Sequence, residues 1–192
     1  MSLATPQCAD DDTLMARVAA RDADAFRALV EKHAGKAHRI GWRMLGDAVE
    51  AEDVAQETML KLWEQADKWQ AGGAGVGAWL NRVATNLCLD RLRRQRFTSD
   101  EEAPERTDES PLADALMDAD RMRDRAMKAV HALPDRQRAA IILTYYEDCS
   151  NIAAAGILDM NIKAFESLLL RARQALKAEL HDVRAARAGG EA

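Results

Sequence analysis

Aromatic side chains are scarce, at 5% of the 192 residues, although hydrophobic residues as a whole reach 48%. Alanine, leucine and arginine fill the periodic stretches instead, a balance that favours helices over sheets and predicts an all-helical protein. Cysteine is also sparse: Cys8, Cys88 and Cys149 lie far apart, with no CxxC pair and no neighbouring histidine at ligand spacing. That argues against a structural zinc site. Cys88 falls near an apolar helix face and reads as a buried thiol, because a redox sensor needs a basic, exposed setting. No apolar run approaches membrane-spanning length, and MSLATPQCADDD lacks the basic and then apolar regions of a signal peptide. The expectation is a cytoplasmic protein without membrane insertion. The four histidines are scattered, and no nucleophile–base pair or carboxylate dyad stands at a plausible spacing, so neither an enzyme nor a cofactor is indicated.

The net charge of −5 at first argues against nucleic acid, but its distribution matters more than its sum. Residues 97–124 hold ten acids against three bases, and residues 1–12 add three aspartates, whereas 13–96 and 125–192 are each mildly basic. DNA binding by either basic block stays electrostatically open.

Apolar residues at three- and four-residue steps predict helices over 13–21, 24–45, 48–68 and 79–96, with Asp22 or Asp24 capping the second and Asp47 the third. Between Trp69 and Ala78 lies QAGGAGVG, whose four glycines predict a loop. It is not a phosphate-binding P-loop, since no Gly-Lys-Ser/Thr follows and no strand precedes it. Residues 98–112 combine acids, Ser, Thr and two prolines with almost no apolar content, the composition of a flexible linker. Helical pattern resumes near Ala113, and Leu133-Pro134 opens a fresh helix with proline in its first turn. The expected organisation is a tail (1–12), a first helical domain (13–97), an acidic linker (98–122), a second helical domain (123–182) and a C-terminal tail (183–192).

The segment NIAAAGILDM-NIKAFESLLLRARQALKA, from Asn151 onward, reads as a short helix, a tight turn at Asp159-Met160 and a longer helix, the helix-turn-helix pattern. Asn161 can cap the second helix, and Ile162, Phe165, Leu168, Leu169 and Leu176 form a core-facing stripe. The remaining face is polar and locally basic, suited to a DNA major groove, although an ordinary helical hairpin fits the same pattern. On the third helix Asp53, Gln56, Glu57, Leu60 and Glu64 share one face, opposite Ala51, Ala55, Thr58, Met59 and Leu62. Such an acidic-polar face is either a partner surface or solvated. The fourth helix packs through Leu80, Val83, Ala84 and Leu87 and carries five arginines against one acid, Asp90, between Trp79 and Arg96. Arginine grips phosphate, and Trp79 and Phe97 either stack on unpaired bases or belong to the core.

In order along the chain, DAFRALVEKH, EAEDVAQETMLKLW, AWLNRVATNLCLDRLRR, LPDRQRAAIILTYYEDCSN and SLLLRAR resemble the motifs of bacterial sigma factors of the extracytoplasmic-function type, from Asp24 to Leu180. The resemblance implies sigma region 2 in the first domain and sigma region 4 in the second. It implies that Asp53, Gln56, Glu57 and Leu60 grip core RNA polymerase, and that Trp79, Arg82, Asn86, Asp90, Arg93 and Arg94 recognise and open the minus-ten promoter element. It further implies that the Gly72 to Gly77 loop captures a flipped base. Lys163, Glu166, Ser167, Leu170, Arg171 and Arg173 match the helix that reads the minus-thirty-five element. An antisigma factor is the restraint implied by the family.

The chain departs from the family pattern at Ala153-Ala154-Ala155, where Glu-Ile-Ala is usual, at Asp159 in place of a turn glycine, and at Asn161 in place of a Ser or Thr cap. Asp tolerates a left-handed backbone better than most residues, so the turn is expected to survive. Two other readings use only part of the chain. A free-standing helix-turn-helix regulator would leave the Asp53 face and the arginine strip without a task, and an adaptor would bind polymerase or an antisigma factor without DNA.

Overall fold

The computed structural model describes residues 10–98 and 117–188. Within them the chain forms eight α-helices and no strand. It divides into two compact units, Met1–Trp42 with Asp47–Ala84, and Arg43–Gly46 with Thr85–Ala192. Most of the acidic linker expected over 98–122, and residues 1–9 and 189–192 of the tails expected at the termini, lie outside the described residues.

The first unit is built on α1 (Asp11–Ala19), α2 (Ala23–Leu45), α3 (Ala48–Gln65) and the start of α4 (Gly75–Thr98). Helix α1 begins two residues before the expected start, so Asp11 and Asp12 belong to its first turn rather than to a tail. Acids there face the positive end of the helix dipole. The helix ends with Arg21 left-handed (φ 64°), its N–H bonded to the Val18 carbonyl and the next N–H to that of Arg17. Asp22 then starts α2: one carboxylate oxygen accepts the N–H groups of Asp24 and Ala25, at 2.9 and 3.1 Å, and the other accepts Arg17 Nε. Asp47 caps α3 through the Glu50 N–H at 2.9 Å.

The core holds Leu14, Met15 and Val18 of α1, Leu29, Ala37 and Ile40 of α2, and Ala51, Val54, Met59 and Leu62 of α3. Phe26 meets Trp63 edge to face at 5.0 Å. A single 3-10 turn, Ala66–Lys68, continues α3 and packs against α1.

In the second unit α5 (Met117–Ala132), α6 (Asp135–Ile141), a π-helical turn (Ile142–Tyr146), α7 (Asn151–Ile157) and α8 (Ile162–Ala188) enclose Val130, Ile141, Ile142, Leu143, Ala154, Ile157, Phe165, Leu168 and Leu169. Helix α8 packs on α5, α6 and α7. Pro134 stands at the N-cap of α6. Arg138 is buried, and its guanidinium donates to the Leu133 carbonyl at 3.3 Å and to that of His131, satisfying carbonyls at the C-terminal end of α5. Helix α8 runs on to Ala188, past the expected boundary at 182.

Candidate functional site

On α3 the buried side chains are Ala51, Val54, Ala55, Thr58, Met59 and Leu62, with the Thr58 hydroxyl bonded to the Val54 carbonyl at 2.6 Å. The opposite side presents Asp53, Gln56, Leu60 and Glu64 to solvent, while Glu57 is half-buried and paired with Lys61 at 3.4 Å. Leu60 is 54% exposed and Val49 72%. At 100° per residue Val49, Asp53, Gln56 and Leu60 fall on one stripe. The stripe therefore mixes acid and amide with two apolar side chains that the fold does not use. Val49 was not among the expected residues, although its spacing of four to Asp53 signals it.

The glycine loop is shorter than its sequence suggests, because α4 begins at Gly75 instead of near Trp79. Val76 is buried and anchors that first turn, where unpaired N–H groups are inherent and glycine costs least. Gly72 and Gly75 take φ of +78° and +80°, and nothing lies within 4 Å of where a Cβ would sit on either. The glycines thus serve the backbone path rather than close packing. The loop is held at its start by Asp12: the Trp69 indole N–H donates to one carboxylate oxygen at 2.9 Å and the Gly72 N–H to the other at 3.0 Å. These two bonds, the indole's first, hold the Asp12 carboxyl below its ordinary value.

Along α4 the buried positions are Leu80, Asn81, Ala84, Thr85, Cys88 and Leu92. Val83 and Leu87, expected in the core, are only half-buried, because the buried stripe is turned to include polar Asn81 and Thr85. On the opposite face, by helical spacing, stand Trp79, Arg82, Asn86, Asp90 and Arg93, with Arg94 at its edge. Arg82, Asn86, Arg93 and Arg94 are exposed, whereas Trp79 and Asp90 are half-buried. Asp90 pairs with Arg93 at 2.9 Å, so the one acid of the strip orients an arginine beside it. Cys88 is fully buried, as its place on an apolar face implies, and Cys149 is partly buried; Cys8 lies outside the described residues.

The helix-turn-helix forms through α7 and α8. Ser150 caps α7 through the Ala153 N–H, and Asn161 caps α8 through the Ala164 N–H at 2.9 Å. Between them Asp159 is left-handed (φ 52°), its N–H bonded to the Gly156 carbonyl and that of Met160 to Ala155. This is a complete Schellman ending with aspartate where glycine is commonest. Arg136 donates to the Leu158 carbonyl and fastens the turn to α6.

Phe165, Leu168, Leu169 and Ala172 bury α8, while Ile162 is 37% exposed and Leu176 half-buried, a narrower core stripe than expected. Lys163, Glu166, Ser167, Leu170, Arg171 and Arg173 are all exposed. They do not form one uniform surface. Arg173 turns aside to lie over the Tyr145 ring at 5.4 Å, whereas Arg171 stays on the outer face, its Nε on the Ser167 carbonyl at 3.3 Å. Gln174, also exposed, completes the outer stripe of Lys163, Ser167, Leu170 and Arg171; its position seven residues after Ser167 is the signal for it.

Among the described residues no group of three His, Cys, Asp or Glu side chains could hold a metal ion.

The profile of Sigma-70 region 2 matches residues 29–98, and that of Sigma-70 region 4 matches 123–176. The chain is 34% identical to the ECF RNA polymerase sigma factor SigL of Mycobacterium tuberculosis, over 88% of this chain and 98% of that protein. It is 29% identical to SigW of Bacillus subtilis, over 84% and 92%. Among solved structures it is similar to CnrH in complex with the cytosolic domain of CnrY (28% identity, TM-score 0.65, 90% and 97% covered). It is also similar to the sigma factor RpoE in complex with the anti-sigma factor NepR from Bartonella quintana (26%, TM-score 0.66, 81% and 96%). With both sigma regions matched in order and SigL aligned over nearly its whole length, the chain belongs to the ECF RNA polymerase sigma factors.

Proposed function

We propose that the chain docks on core RNA polymerase through Asp53, Gln56, Glu57 and Leu60, and directs it to promoters with two separate DNA-reading faces. The α4 face of Trp79, Arg82, Asn86, Asp90, Arg93 and Arg94 opens and reads the minus-ten element, with the Gly72 loop receiving an extruded base. The outer face of α8, led by Lys163, Ser167 and Arg171, reads the minus-thirty-five element. The observation that carries this reading is that most of these side chains lie opposite the buried stripe of their own helix and are exposed, Glu57, Trp79 and Asp90 being half-buried. Polymerase carries the phosphodiester chemistry, and the chain contributes binding contacts only. The site of action is then the cytoplasm, where polymerase works; separately, no helix among the described residues is long and apolar enough to cross a membrane.

An antisigma factor restrains the chain in this reading. Support comes from CnrH and RpoE, two similar proteins solved with the cytosolic domain of CnrY and with the anti-sigma factor NepR.

Transcription with purified core polymerase on a promoter library tests the proposal. A sigma factor confers start-site selection on core enzyme alone. A free-standing helix-turn-helix regulator leaves core unselective and only changes the output of a polymerase that already carries a sigma factor.

A further inference from the structure

We propose that Asp12, on α1, is a positioning residue for the glycine loop that receives the extruded promoter base, so that α1 belongs to the base-selecting apparatus. The inference rests on the base-capture reading given above.

The loop has little of its own to define its shape. Gly72 and Gly75 both sit at positive φ with open space where side chains would be, so neither close packing nor a restricted backbone fixes them. A pocket that discriminates among bases must nonetheless hold its contacts in place before the base arrives, since ordering a slack loop on binding weakens both affinity and selectivity. Asp12 supplies an anchor at the point where the chain leaves the 3-10 turn. Trp69 is extended there (φ −65°, ψ 132°), and the two Asp12 oxygens take one donor each from residues three apart, the Trp69 indole and the Gly72 N–H. A planar carboxylate accepting two such bonds fixes both the Trp69 ring and the backbone at Gly72.

The foundation under Asp12 is itself rigid. Leu14, Met15 and Val18 bury the inner side of α1, and the neighbouring Asp11 is tied to α2 through Lys32 at 2.7 Å and His33 at 2.9 Å. The loop is therefore referenced to the core of the unit through α1, across 57 and 60 residues of sequence. The carboxyl is ionised near neutral pH, as an ordinary aspartate is, and so is purely an acceptor there; the two bonds lower it further.

The test uses the full chain with core polymerase on promoters that differ only in the captured base, reading open-complex yield for each base alongside core affinity. The variants are Asp12→Ala, Asp12→Asn and Gly72→Ala, the last straining the loop directly at its positive φ. Asp12→Asn is isosteric and keeps one acceptor oxygen, so it carries the test if Asp12→Ala does not fold. The expected result is a loss of base discrimination of about tenfold in Asp12→Ala, on the scale of a lost preorganised contact, with a smaller loss in Asp12→Asn and core affinity unchanged in both. The Trp69 indole N–H resonance, assigned by Trp69→Phe, should move in both Asp12 variants. A change in discrimination for Gly72→Ala with none for Asp12→Asn overturns the role of Asp12 while base capture stands. No change in any variant overturns base capture itself. A parallel loss of core affinity and of yield on every base shows a general structural role and also overturns the proposal.

Discussion

Gly41 of α2 lies against Ala51 of α3 so closely that a Cβ on Gly41 would come within 2.9 Å of the Ala51 Cα and 3.2 Å of its Cβ. Backbone cannot step aside as a flexible side chain can, so the two helices would have to separate. Gly41→Ala should therefore destabilise the first unit by about 1–3 kcal/mol from overpacking, partly offset by about 0.5–1 kcal/mol of improved helix propensity. Gly156→Ala in α7 is the control: nothing lies within 4 Å of its Cβ, and only the propensity gain applies. Thermal unfolding of the two variants should move in opposite directions.

Asp53→Ala combined with Gln56→Ala should weaken binding to core polymerase and leave helicity intact, because Ala51, Val54, Thr58, Met59 and Leu62 hold α3 from the other side. Adding Val49→Ser should deepen the loss, since its exposed side chain stands on the same stripe. Titration of core enzyme with labelled protein checks both, and unchanged affinity would move the docking surface elsewhere.

Much of this architecture could be read from the sequence because its signals are local. Asn161 caps α8, Asp47 caps α3, and Asp159 accepts a left-handed backbone, each decided within a few residues of chain. The buried face of α3 followed from spacing alone. Polarity misled the reading of α4, where Asn81 and Thr85 are buried while Val83 and Leu87 are partly exposed. Ile162 fits the apolar spacing of α8, but the buried stripe begins only at Phe165. Asp12 was out of reach for another reason. Its donors lie 57 and 60 residues away, and an aspartate near a chain start offers no periodicity from which to infer them.

Acid should loosen the N-terminal unit before the rest of its core. Asp11 is partly buried, which raises its carboxyl, but hydrogen bonds and charge from Lys32 and His33 outweigh that and hold it below its ordinary value of 3.8. Asp22 is likewise lowered, by the Ala25 N–H and then by Arg17. Carboxyls lowered in the folded state stabilise it above the ordinary value, and that contribution is lost as pH falls through the folded one. Protection of α1 amides, taken relative to their intrinsic exchange rate at each pH, should accordingly fall below about pH 4. Asp11→Asn should remove part of the acid dependence while making α1 less protected at neutral pH.

Arg171 and Arg173 sit two residues apart and should behave differently. Arg171 stands on the outer face of α8 beside Ser167, its Nε on the Ser167 carbonyl at 3.3 Å. If it meets a base edge, Arg171→Ala costs about 1–3 kcal/mol of recognition and relaxes preference at one upstream position. Arg173 spends its guanidinium on the Tyr145 face, an interaction worth about 0.5–1 kcal/mol at an exposed site. Arg173→Ala should therefore lower stability slightly and change DNA binding little, without altering sequence preference, because its guanidinium lies on Tyr145 rather than on the outer face. Binding measured on an upstream-element library at two salt concentrations separates these outcomes. Equal, sequence-independent losses for both variants would show that α8 meets DNA through its backbone contacts rather than through Arg171.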